Sequence, residues 1–333
     1  MKQIFGMSIL LFFVTITIIF TSCKKEKISQ IESIDYSKVE IPSFNADSAY
    51  YYVAKQCDFG SRTPNSQAHN LCLEYLVDFM KQQADTVYVQ KFDSKLYNGT
   101  KVTGKNIIAS FNLEATDRVL LAAHWDSRLW ADNDKDASLH KTPVPGANDG
   151  ASGVGVLMEI ARILKSKPLK QGIDIIFFDL EDQGIPEWET KEENNQQTDW
   201  CIGSQYWSQN KHIPFYTANY GILLDMVGYK AARFTKEYQS MGYAASIMNK
   251  IWDIAKAKGY EKIFVDVQTS GIMDDHIWVN HHAKIPMIDI VQNDPEGNFF
   301  PHWHTTTDDM DAISKETLKI VGEVCLTAIY SAQ

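Results

Sequence analysis

The residues best placed to do chemistry together are acids and histidines that follow short apolar runs. Ile173-Asp174-Ile175-Ile176-Phe177-Phe178 leads into Asp179, Glu181 and Asp182, and Gly184 then turns the chain. Adjacent Glu181 and Asp182 leave a strand end on opposite sides, so one carboxylate can bind a metal while its neighbour handles protons. On its own such a turn is as readily a solvated acidic loop. The other runs change that balance. Val119–Ala123 runs into His124-Trp125-Asp126, and Gly146-Ala147-Asn148-Asp149-Gly150 sets Asp149 in a glycine-rich turn. Leu223-Leu224 delivers Asp225, and Phe300-Pro301-His302-Trp303 delivers His304. Asp149, Asp182 and His304 supply three ligands of mixed carboxylate and imidazole type with a position left for water or substrate, the composition of a catalytic zinc site. His124 and Asp225 either extend that ligand set or hydrogen-bond its members.

Elements that bring these residues together are legible around them. Apolar segments predict strands over 86–92, 106–111, 119–123, 173–179, 221–227 and 285–290. Helical patterns begin at Asp47 and run over 66–83, 151–165, 244–258 and 314–330, the last with Ser314 as N-cap and Ile313 and Leu318 placed as a hydrophobic staple. Early strands in close succession, then strand–helix alternation, predict an α/β single domain. Its core is a central mixed, mostly parallel twisted sheet flanked by helices on both faces. In such sheets the carboxyl ends of the strands are where sites form.

The chain has 333 residues, 44% of them hydrophobic, enough for one large core. Its formal charge of −10 argues against a nucleic-acid binder, which needs clustered Lys and Arg. Lys2, the apolar run Ile9–Phe20 and the small residues Thr21 and Ser22 give residues 1–22 the form of a signal peptide. That run is too short for a comfortable membrane span. Phe20-Thr21-Ser22-Cys23 resembles a bacterial lipoprotein box, although Phe20 replaces the usual aliphatic residue at its first position. The expectation is an exported, periplasmic protein anchored in a membrane only through lipidated Cys23. Residues 23–45 then form a flexible tether, and 46–333 the catalytic domain. Cys57, Cys72, Cys201 and Cys325 show no metal-knuckle spacing, and sequence leaves their disulfide state open. His69, His140, His212, His281 and His282 have no evident partner set. A monomer is expected.

Taken in order, His124-x-Asp126, Asn148-Asp149, Phe177-Phe178-Asp179-x-Glu181-Asp182, Leu224-Asp225-Met226 and His304-Thr305 resemble the zinc aminopeptidases of the M28 type and their relatives, the animal-type glutaminyl cyclases. The resemblance runs from about residue 48 to the C-terminus. Three features are similar to the cyclase branch: Asp274-Asp275-His276-Ile277, Trp303 directly before His304, and the insertion from Ile185 through Trp200 that carries Trp188. Asp182 departs from the Glu usual at that position. What the resemblance implies is a zinc-dependent glutaminyl cyclase that converts N-terminal glutamine of peptides and proteins to pyroglutamate with release of ammonia. One zinc would be held by Asp149, Asp182 and His304. Glu181 would move the proton, Asp274 coupled to Asp225 would hold the leaving nitrogen, and Trp303 and Trp188 would wall the pocket. The alternative within the family is a dinuclear aminopeptidase with two zinc ions, in which His124 and Asp225 are ligands. A non-catalytic binding domain on the same scaffold is the third reading, and the complete residue set argues against it.

Overall fold

The apolar run at 173–178 lies in the middle of a six-stranded sheet. The structure is a computed structural model and describes residues 34–189 and 199–331. The expected signal peptide, Cys23, the first part of the tether and residues 190–198 of the insertion lie outside the described residues. Helices α1 (Ala46–Asp58) and α2 (Gln67–Gln83) precede strands β1 (Thr86–Lys95), β2 (Lys101–Phe111) and β3 (Arg118–His124). Helix α3 (Ala151–Ser166), β4 (Gly172–Phe178), α4 (Ile202–Gln209) and β5 (Tyr220–Asp225) follow. Then come β6 (Phe234–Glu237), α5 (Tyr238–Ala257), β7 (Phe264–Thr269), α6 (Asp275–Trp278), β8 (Met287–Val291) and α7 (Lys315–Tyr330).

The sheet order is β1-β2-β4-β3-β5-β8. β1, β2 and β4 pair antiparallel, whereas β4, β3, β5 and β8 run parallel. Alternation along each strand divides its side chains between two helical layers. Val119, Leu121 and Ala123 of β3 and Ile173, Ile175 and Phe177 of β4 join the larger core with α1, α3, α5 and α7. Leu120, Ala122, Ile176 and Phe178 face the other way, against Trp207 of α4 and Val279 after α6. Parallel register then sets strand ends side by side: His124 opposite Phe178, and Asp225 opposite Val291. This fixes where the acids emerge.

Several expectations shift. Residues 35–45, expected as part of the tether, belong instead to the compact unit that begins at Asp35. Phe44 is buried against Gly322, the Asn45 amide donates to Glu159 Oε1 at 3.0 Å, and the Asn45 side chain caps α1. Helix α5 starts at Tyr238, not Ala244, because the Glu237 carboxylate caps it; Ala244 marks a kink, with φ −145°. The short parallel pair β6–β7 and helix α4 were not expected at all. Strand β5 stops at Asp225, since Met226 turns to φ 50°. All four cysteines among the described residues are free. No helix among the described residues is long and apolar enough to cross a membrane.

One close approach matters for the site. A β-carbon at Gly153, in the first turn of α3, would lie 2.2 Å from the Leu224 carbonyl oxygen and 2.9 Å from Ala123 Cβ. The absence of a side chain lets α3 sit on the ends of β3 and β5, which brings Asp149 beside His124 and Asp225. Gly153→Ala is therefore expected to lower unfolding stability by roughly 1–3 kcal/mol through overpacking against backbone. Denaturant unfolding monitored by fluorescence checks this, and an unchanged midpoint would contradict it.

Candidate active site

Asp149 stands between two imidazoles. Its Oδ1 lies 3.0 Å from His124 Nε2, and its Oδ2 lies 3.8 Å from His304 Nε2. His124 Nε2 is also 3.2 Å from Asp225 Oδ1, and His304 Nε2 is 3.0 Å from Asp182 Oδ1. Two groups of potential ligands thus share one carboxylate: Asp149, Asp182 and His304 on one side, His124, Asp149 and Asp225 on the other. All are buried. Glu181 closes a third group with Cys201 and Asp274.

Backbone hydrogen bonds hold these side chains in place. The Asn148 and Asp149 amides donate to the two carboxylate oxygens of Asp308, at 2.8 and 3.0 Å. Buried Arg62 ties the preceding loop down by donating to the Trp125, Pro145 and Gly146 carbonyls. Asp126 accepts from the Glu181 and Asp182 amides and from Gln183 Nε2, which fixes the turn after β4. Leu180, Met226 and His304 all have positive φ, at 58°, 50° and 55°. Backbone in this region is unfavourable for residues with a β-carbon and recurs at functional sites.

Crowding of buried acids sets the electrostatics. Burial raises the Asp182 carboxyl well above the carboxylate range, and neighbouring Asp149 adds to this. Burial likewise pushes Glu181 well up, with His124 opposing, and carries Asp225 to about 7. At His304, burial and then the Arg128 guanidinium push the imidazole well below its usual value, so the neutral ligand form is favoured. Asp182 Oδ2 has no hydrogen-bond partner although it is buried. Two carboxylates and one neutral imidazole, with an orphaned oxygen among them, fit a zinc-type divalent cation.

Over these acids opens a cavity of about 380 Å³, with Trp200, Trp303, Phe299, Ile272 and Met273 among its lining residues. A cleft of about 440 Å³ edged by Gln83, Asn112 and Gln171 lies elsewhere, away from the metal-ligating groups. Chemistry rather than size singles out the first. The His304 ring stacks with Trp303, at 3.8 Å between centroids, and with Trp200, at 5.8 Å.

Asp149, Asp182, His304, Glu181, Asp225, Asp274, His124 and Trp303 converge. Trp188 does not. It lies outside the cavity lining, stacked on His140 at 5.9 Å and edge-on to Trp130, and Trp200 takes the wall position instead. The reason is that the insertion folds back at Cys201, whose amide donates to the Glu181 carbonyl at 2.8 Å, so the residue just before it reaches His304. His69 also differs from expectation: its Nε2 is 2.9 Å from Asp179 Oδ1, and its ring stacks on Trp125. Sequence reasoning missed Asp308, Arg62 and the Arg128–Asp132 pair beside His304. Only Asp126 carried a signal, through its spacing from His124.

Comparison with known proteins supports the same region. Residues 106–329 match the model for Peptidase family M28. A solved glutaminyl cyclase of Bacteroides thetaiotaomicron, bound to N-acetylhistamine, is 48% identical, with 88% of this chain and 100% of that one covered and a TM-score of 0.86. A solved chain from the same species, described as a leucine aminopeptidase precursor, is 47% identical over 89% of this chain and all of its own, with a TM-score of 0.85. Further solved glutaminyl cyclases are among the structural neighbours. Aminopeptidase YwaD of Bacillus subtilis is 28% identical over 94% of this chain, which spans 64% of that relative's length. The matched stretch carries the bridging Asp149, both imidazoles and all the acids of the cavity, and the chain belongs to peptidase family M28.

Proposed function

We propose that this chain is a glutaminyl cyclase, acting on peptides and proteins whose N-terminal residue is glutamine. The observation that carries the reading is the meeting of Glu181 and Asp274 in one cavity with the Asp149, Asp182 and His304 set. Solved glutaminyl cyclases among its neighbours support it. Zinc held by Asp149, Asp182 and His304 would supply Lewis-acid polarisation of the γ-carbonyl.

The chain's own residues account for the proton. Glu181 accepts a proton from the α-amine as that nitrogen attacks the carbonyl carbon of the side-chain amide, forming the ring C–N bond. It returns the proton to the departing γ-nitrogen as that C–N bond breaks, so ammonia leaves and pyroglutamate remains. Burial raises Glu181, which makes it a better base than an exposed carboxylate. Asp274 accepts an N–H hydrogen bond from the leaving nitrogen and shares its charge with nearby Asp225. Trp303 and Trp200 exclude water that would otherwise hydrolyse the amide.

A specific observation favours one second reading. Asp149 is shared between the His124–Asp225 and Asp182–His304 sides, which is a layout able to hold two cations, as an aminopeptidase would need. In that case Glu181 activates water, and the product is a free amino acid.

We further infer, from the sequence of residues 1–23 alone, that the chain is exported and anchored through a lipid on Cys23. Cys23→Ala should move the protein from the membrane to the soluble fraction; a variant that stays membrane-bound would contradict the anchor.

For the reaction, Glu181→Gln should lower kcat on a Gln-initiated peptide by about 10²–10⁴-fold while zinc content is unchanged. Activity above a tenth of wild type would overturn the role of Glu181. Metal analysis should find about one zinc per chain. A chelator should abolish ammonia release and lower the unfolding temperature, and added zinc should restore both. Two zincs with amino-acid release would hand the site to the aminopeptidase reading, and silence on both substrates in folded, zinc-loaded protein would leave only a binding domain.

A further inference from the structure

Cys201 holds a position that backbone preference alone would not give it. It sits at the head of α4 with φ 55° and ψ 34°, a left-handed conformation that favours glycine or asparagine over residues branching at the β-carbon. It is fully buried, unpaired with any other cysteine, and has no part in either ligand group around Asp149. Its thiol does have a partner. Sγ lies 3.3 Å from Glu181 Oε1, while the amides of Cys201 and Ile202 donate to the Glu181 and Leu180 carbonyls at 2.8 and 3.0 Å. One residue thus grips both the main chain and the carboxylate of the proposed proton carrier.

We propose that Cys201 is a positioning residue for Glu181. Its S–H donates to Oε1 and fixes the carboxylate plane. That leaves Oε2, 3.9 Å from His124 Nδ1, as the oxygen that exchanges the proton with substrate. The thiol suits this task because burial keeps it protonated, so it stays a neutral donor among the acids. The main-chain clip explains why the cysteine tolerates its backbone conformation: moving it would release Leu180 and Glu181 together.

The inference rests on Glu181 moving the proton, as proposed above. Three proteins test it: wild type, Cys201→Ala and Cys201→Ser, each with zinc content and unfolding temperature measured. With a Gln-initiated peptide, Cys201→Ala should lose roughly tenfold in kcat with KM little changed, the order expected for a lost hydrogen bond to a charged group. Cys201→Ser keeps a donor in nearly the same place and should remain within roughly threefold of wild type. Wild-type kcat in folded Cys201→Ala would overturn the proposal. So would equal losses in Ala and Ser, which would mark packing rather than hydrogen bonding. The wild-type protein separates this from failure of the functional reading: if it releases amino acids instead of ammonia, the same ranking is read on that reaction, where Glu181 is still the base. Silence of wild type on both reactions would overturn the role of Glu181 and this inference with it.

Discussion

Everything at this site depends on keeping several carboxylates close together inside the protein. Asp149, Asp182, Glu181, Asp225 and Asp274 line one cavity, and burial pushes all five carboxyls up, although at Asp149 the contact with His124 outweighs it. Left alone, such a group would protonate or splay apart. Two provisions hold it. His124 touches Asp149 and Asp225 with one nitrogen and lies 3.5 Å from Asp126 with the other. Beyond it, side chains grip the surrounding main chain rather than the acids themselves: Asp308 and Asp126 accept from its amides, and Arg62 donates to its carbonyls. The carboxylates are therefore positioned by scaffolding while their own oxygens stay available, which is what a site that binds a cation and moves protons requires.

How much of this was legible in the sequence follows from where each residue sits. The sheet was legible because its strands are buried on both faces and read as short apolar runs; β3, β4 and β5 lie within a residue or two of expectation. His124, Asp182 and Asp225 were legible because they close or follow those runs, and parallel register carries them to one edge. The β6–β7 pair was not, since β7 is largely exposed and shows no alternation. Helix α5 looked shorter than it is because its first turns hold Gly242 and polar residues and end in a kink. Asp308 and Arg62 act on backbone amides and carbonyls far away in sequence, and no spacing rule points to them. That Trp200 lines the cavity where Trp188 was expected was not legible for a similar reason, because which tryptophan reaches His304 depends on the fold-back at Cys201.

Membership of peptidase family M28 leaves the cyclase and aminopeptidase readings both open, and the details of the cavity divide them. A layout that shares Asp149 between two ligand groups is common ground for one or two cations. Asp274 is what distinguishes the cyclase reading, since a carboxylate facing Glu181 can hold a departing nitrogen but is not needed by a water-activating base. Trp200 and Trp303 add a second reason: both stack on His304 and supply apolar wall to the cavity. Cyclisation needs water kept away from the γ-carbonyl, whereas hydrolysis needs it admitted.

The most direct measurement is the mass of the product formed from a peptide that begins with glutamine. The account predicts a peptide that keeps every residue and has lost one ammonia, produced by wild type and not by Glu181→Gln. A product shortened by the whole glutamine residue would contradict it.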